Sequence, residues 1–185
     1  MLMHYADQLI IPGYIEYNDA VQTLDESANQ FVDSPSTTEL DAMRQNWEKA
    51  LRRWEVIGFY DLGPAMDIGM VNRTNAFPVS VVKISNNISS GEYNLETADN
   101  IDAVGLQALD YLLFGTGADD QQVIAYFESN PNAGKYLTDL TKKLADDAEF
   151  VYSAWSGNYR ETFVNSTGTN IGSSTASMVN GILKY

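Results

Sequence analysis

Eight apolar residues, Leu137, Leu140, Leu144, Ala148, Val151, Trp155, Tyr159 and Phe163, recur at steps of three and four. Only an α-helix turns that spacing into one continuous stripe, and so long a stripe has to be covered by other helices. This run sets the fold class, and the rest of the chain repeats the pattern. Leu2, Tyr5, Leu9, Tyr17, Ala20, Leu24 and Phe31 keep helical spacing over residues 2–31, and Pro12-Gly13 is expected to kink or restart that helix. Ser36, with Glu39 three residues on, fits a capping box. The helix it opens buries Leu40, Met43, Trp47, Leu51 and Trp54. Its other face carries Arg44, Glu48 and Arg52, read as solvated i,i+4 ion pairs.

Further helices are expected over residues 97–114, from Asp119-Asp120 onward, and again over 173–185 after a Ser/Thr/Gly-rich break. Between residues 58 and 94 the periodicity fails. Gly63-Pro64, Gly69, Pro78, Asn86-Asn87 and Ser89-Ser90-Gly91 interrupt it. This stretch reads as one long irregular connection, a feature that is uncommon in compact domains and often functional. Its apolar run, residues 77–84, fits a short strand and a helical turn equally. The expected architecture is all-α, antiparallel helical bundles in one domain over residues 1–185.

The 185 residues are 44% hydrophobic and 11% aromatic, a composition that folds. Acidic residues number 25 against 11 basic ones, for a formal charge of −14. That balance argues against a nucleic-acid partner and against docking on anionic lipid. The absence of cysteine excludes disulfides, thiolate metal sites and cysteine nucleophiles. No apolar run is long enough to span a membrane, and no secretory leader is expected within these residues. His4 is the one histidine. Triad hydrolysis would have to use it, and there is neither a Gly-x-Ser-x-Gly nor a His-Glu-x-x-His motif.

The most informative stretch is residues 103–114, Ala-Val-Gly-Leu-Gln-Ala-Leu-Asp-Tyr-Leu-Leu-Phe. Only Gly105, Gln107 and Asp110 are not apolar, and a helix apolar on nearly all sides is buried. Gln107 and Asp110, three apart, share one face, expected inside the protein or at the wall of a crevice. A buried carboxylate needs a partner or a raised pKa, so Asp110 is a candidate acceptor. The alternative is an internal hydrogen-bond network. Glu55, beside Trp54 and just ahead of residue 58, is a second candidate carboxylate, with a surface acid as its alternative.

Gly105-Leu-Gln107-Ala-Leu-Asp110, running into an apolar stretch and Gly115, resembles the imelysin signature Gly-x-His-x-x-Glu. Residues 5–12, Arg44-Gln-Asn-Trp47, Trp54-Glu55, Gly63-Pro64 and residues 167–174 are similar to the family in the same order. Asn75-Ala-Phe77-Pro78 resembles its Asp-x-Trp-Pro element. Gln107 stands where the family has His, and Asp110 where it has Glu. An amide is a weak metal ligand, and Asp is one methylene shorter than Glu. Family members are about twice this long, so the chain resembles their N-terminal part.

The resemblance implies an all-helical bacterial envelope protein, periplasmic or an outer-membrane lipoprotein, linked to iron uptake. It also implies a site between helical lobes, near the signature helix and the Gly-Pro loop. Three readings follow. In the first, the protein binds iron, another divalent cation, an iron complex or a related ligand. Asp110 is then the principal ligand, Gln107 orients it, Glu55 assists and Trp54 forms a wall, with Gly63, Pro64 and Gly105 as structural motif residues. In the second, it is a divergent scaffold acting through envelope protein partners. The third, a metallopeptidase, is disfavoured by Gln107.

Overall fold

The computed structural model describes residues 1–184, with side chains through residue 181, so Tyr185 lies outside the described residues. Eleven α-helices account for most of them, and no strand occurs among the described residues. The core is built by α2 (Ile11–Asp33), α3 (Thr37–Ile57) and α9 (Pro131–Ala154), with α2 packed along both of the others. The short turn between α2 and α3 makes them antiparallel. Tyr17, Leu24 and Phe31 of α2 meet Leu40, Met43 and Ile57 of α3 and Leu137, Leu140 and Val151 of α9 in one fully buried cluster.

Local chemistry explains the boundaries. Ser36 Oγ accepts from Glu39 N at 3.2 Å and Asp119 Oδ1 from Gln122 N at 2.9 Å, capping α3 and α8 (Asp120–Ser129). Pro12 has no N–H to give the helix ladder. The ladder widens into a π-turn over Ala6–Ile10 between α1 (Leu2–Tyr5) and α2, and Ile10 stays helical (φ −72°, ψ −57°). The restart expected at Pro12-Gly13 therefore falls at Ile11, with no break in the helical path.

Three sequence expectations are corrected. Residues 58–94 are not one irregular connection. They contain α4 (Pro64–Asp67), α5 (Met70–Asn75) and α6 (Val81–Ser90). Gly63 (φ 49°), Gly69 (φ 65°) and Gly91 (φ 67°) punctuate short helices there, too short for a periodic pattern to show. The ambiguous run 77–84 enters α6, capped by Ser80, which accepts from Lys83 N at 3.3 Å. The helix expected over 97–114 is a 3₁₀ turn (Ala98–Ala103), an extended Val104 and α7 (Gly105–Phe114). Lastly, Arg44 does not pair with Glu48. Its Nη1 reaches Asp120 at 2.7 Å, and its Nε and Nη2 donate to the Leu113 carbonyl at 3.2 and 2.8 Å. Arg44 thus ties α3 to the C-terminal end of α7, where carbonyls lack helical partners. Glu48–Arg52 forms as expected, at 2.6 Å.

The short helix α5 is wedged between α7 and α9. On one side, Gly105 (φ 81°) lies so close to it that a Cβ there would sit 2.4 Å from the Thr74 carbonyl oxygen. On the other, Arg73 grips Asp147 with two hydrogen bonds of 2.8 and 2.7 Å and reaches Glu96 at 2.7 Å. Lys143 closes the ring on Glu96 at 2.8 Å and on Asp147 at 3.3 Å. Two cations face two carboxylates, so the buried charges are compensated.

Two predictions follow. Gly105→Ala combines a positive φ with a backbone clash, and urea unfolding is expected to show a loss of about 3 kcal/mol. The second concerns acid. Burial pushes the Glu96 carboxyl up, but hydrogen bonds from Lys143 and Arg73 outweigh it and hold the group below its ordinary 4.5. A depressed carboxylate stabilises fully above its unfolded pKa, and that contribution is lost as pH falls through the folded value. In Glu96→Gln, the part of the stability loss that sets in below pH 4.5 is expected to be missing from urea midpoints measured against pH.

Candidate functional site

Leu106, Leu109, Leu112 and Leu113 of α7 are fully buried, which leaves Gln107, Asp110 and Tyr111 half-buried at its remaining face. The polar pair therefore sits at a wall rather than in the core. α3 sets the position of this helix. Trp47 Nε1 donates to the Leu106 carbonyl at 2.8 Å, and the Trp47 ring meets Phe114 edge-on at 5.5 Å.

Gln107 is held from the other side. Its Nε2 donates to Oδ1 of Asn75, the last residue of α5, at 2.9 Å. Asn75, Trp54 and Glu55 line one cavity of about 370 Å³, with Phe59 and Val71. Trp54 is core as well as wall: it is 5% exposed, and its ring lies 5.7 Å from that of Tyr17. Glu55 is exposed at the rim. The structure thus brings together Trp54, Glu55 and, through Asn75, Gln107.

Asp110 lies outside that cavity, one turn farther along α7. Its carboxylate has no hydrogen bond or ion pair among the described residues, and burial raises its pKa above the ordinary 3.8. Of the two outcomes expected for a buried acid, the raised pKa is the one found. A charge that is desolvated and unpaired is poised to accept a ligand's donors.

Gly63 and Pro64 have separate structural roles. A Cβ on Gly63 would sit 2.0 Å from the Tyr159 ring, so glycine leaves the room that ring occupies against the loop. Pro64 opens α4 in its first turn, where a missing N–H costs nothing. Gly63 borders a second cavity, which adjoins the first through Phe59 and Val71.

Asn75 has a place in the site that its sequence position did not reveal; its only signal was membership of the Asn-Ala-Phe-Pro element. Beneath it, the hydroxyls of Tyr17 and Thr74 are buried with no hydrogen-bond partner among the described residues. Burial drives the Tyr17 phenol above its usual range; the neighbouring Thr74 hydroxyl works against that rise, and the Asp147 charge adds to it. Helical periodicity reads Tyr17 only as core, so the sequence held no sign of this polar layer.

The donor set does not suit a resident metal. No group of three or more His, Cys, Asp or Glu among the described residues could hold an ion. Asp110 with the Gln107 amide oxygen supplies one charged ligand, short of the several oxygens that hard cations take. These residues do not fit a resident metal centre.

The Asp110 environment predicts a measurable cost. A raised carboxyl destabilises the fold at neutral pH, and the penalty disappears below the unfolded pKa, where the group is protonated in both states. Asp110→Asn is expected to raise Tm at neutral pH, with the two proteins converging below pH 3.8. Thermal melts across pH check it.

Residues 10–185 match the family model described as imelysin, peptidase M75. An iron-regulated protein A of Synechococcus elongatus is 27% identical over 75 residues, which are 40% of this chain and 21% of that protein. The crystal structure of a putative iron-regulated protein A precursor from Parabacteroides distasonis superposes with a TM-score of 0.77 at 17% identity, covering 96% of this chain and 53% of that one. An imelysin-like protein from Psychrobacter arcticum gives 0.57 at 18% identity, covering 99% and 57%. The chain spans about half the length of these solved structures. With the family model matched over nearly all of its residues, and the same helical fold in both structures, the chain belongs to the imelysin family.

Proposed function

We propose that this chain serves iron uptake at the bacterial cell envelope, by binding an iron complex or a related ligand rather than by cleaving peptides. The observation that carries this reading is the Gln107–Asn75 pair. Gln107 stands at the signature's His position and Asn75 at the Asp of the Asp-x-Trp-Pro element, and the two amides bond to each other at 2.9 Å. Neither side chain titrates, so the pair holds geometry but moves no proton, and general acid–base hydrolysis loses its natural agent. Asp110, one turn on, keeps a negative charge with no partner among the described residues.

Iron is cargo in this reading. A single carboxylate grips a bare ion weakly, whereas a chelate brings most of its own donors and needs only orientation and charge. Asp110 meets the complex, Gln107 orients it, Glu55 assists from the rim and Trp54 supplies an apolar wall. The names of the Synechococcus and Parabacteroides relatives, both iron-regulated protein A, support the link with iron. No helix among the described residues is long and apolar enough to cross a membrane, in keeping with a periplasmic or lipid-anchored place. A second reading, a scaffold for envelope protein partners, is favoured by Phe77, two residues past Asn75, and Val82, which are 84% and 71% exposed.

Calorimetric titration with ferrioxamine B, a ferric chelate of net positive charge, with ferrous ion and with zinc, run in parallel on Asp110→Ala, tests the proposal. Saturable binding of the ferric complex, weakened about tenfold or more in the variant, is expected, since a charge-assisted contact is worth that much. Equal affinity in both proteins would remove Asp110 from the site. Absence of all binding, with capture of an envelope protein through Phe77 and Val82, would favour the scaffold.

A further inference from the structure

The second cavity, of about 370 Å³, lies between the residue 58–63 connection and α11 (Ser174–Lys184). It falls within the range of small-molecule sites, about 300–1,000 Å³. Asp61 lines it, and this carboxylate is unusual. Its Oδ1 is sealed from water and from the cavity with no hydrogen-bond partner, so a guest can reach this carboxylate only at Oδ2, and neither oxygen has an ion pair among the described residues. The Tyr14 phenol does not offset it. Tyr14, whose ionisation the Asp61 charge opposes, donates its proton to the Tyr60 carbonyl at 3.1 Å instead. No Lys or Arg is among the described lining residues.

Around this charge the wall is mixed. Phe59, Leu62 and Val71 are apolar, while Ser177 and Asn180 bring a hydroxyl and an amide from α11. An ammonium group has three N–H donors and no acceptor. Here it meets a carboxylate, a hydroxyl oxygen and an amide oxygen, all able to accept, and an aromatic ring that favours a cation. A bare metal ion would find one carboxylate and much apolar surface. A guest with a compact cationic head and an apolar body satisfies both halves of the wall.

We infer that this cavity is a binding site for an organic primary ammonium, its head on Asp61, Ser177 and Asn180 and its apolar body on Phe59, Leu62 and Val71. The site is separate from Asp110 and independent of the iron reading. Asp61 supplies the charge that discriminates an amine from a neutral molecule of the same shape. The wall sets an upper limit on the body's size.

Titration with phenethylammonium and with the neutral, similarly shaped 2-phenylethanol, followed by NMR of the Asn180 side-chain amide, tests this. Saturable ammonium binding is expected, about tenfold or more tighter than the alcohol and weakened to a similar degree in Asp61→Asn. Gly181→Leu gives a second arm. Among the described residues, a Cβ at Gly181 meets the Phe59 carbonyl oxygen at 3.7 Å, an ordinary contact, and Gly181 lines the cavity, so a leucine there is expected to extend into it. Circular dichroism establishes that each variant is folded. If Asp61→Asn does not fold, Gly181→Leu and the alcohol comparison decide the matter. Equal binding of alcohol and ammonium, unchanged ammonium binding in either folded variant, or no saturable binding at all would overturn the proposal.

Discussion

The grip of Arg73 on Asp147 holds the site in place. α5 has only six residues, far too few to be helical without tertiary support. Its position comes from two contacts of different kinds. The Arg73, Asp147, Glu96 and Lys143 ring pulls it onto α9, and the side-chain-free surface of Gly105 lets α7 press against its other flank. Between them they place Asn75 where Gln107 can reach it. The ring has to be complete to be favourable, because a lone charge at that depth would be strongly opposed. Lys143 is 6% and Asp147 11% exposed, so each depends on the other members.

Seen from this wedge, the signature glycine is a backbone requirement first. A residue with a Cβ would collide with Thr74, α7 would move off α5, and the Gln107–Asn75 bond would open. The same holds for Gly63, whose missing side chain is the seat of the Tyr159 ring. Glycines that read as motif letters in the chain are close approaches in the fold. The acids divide similarly. Asp7, Glu16, Glu96 and Asp147 each pair with a cation, whereas Asp110 and Asp61 are partly withdrawn from water without one among the described residues.

Much of the fold was legible in the chain. The caps at Ser36 and Asp119, the buried stripes of α2, α3 and α9, and the shared face of Gln107 and Asp110 all follow from spacing and residue chemistry, while the choice of wall over interior for that pair does not. Residues 58–94 were not legible, because helices of four to ten residues are too short to display a 3.6-residue period and their glycine and proline boundaries look like loop. The partner of Arg44 was misread for a related reason. The i,i+4 rule sees Glu48, but tertiary packing brings Asp120 and the Leu113 carbonyl nearer.

The sequence by itself determined what acts over three or four residues: the all-helical class, the helix starts, the apolar faces and the polar pair on α7. Tertiary structure alone decided the long-range partners. Gln107 meets Asn75 across 32 positions, Arg73 meets Asp147 across 74, and Asp61 is left with none among the described residues. Helical periodicity carries no information at that range. Which polar group faces which is settled only when apolar surfaces pack and the water that would otherwise satisfy those groups is excluded.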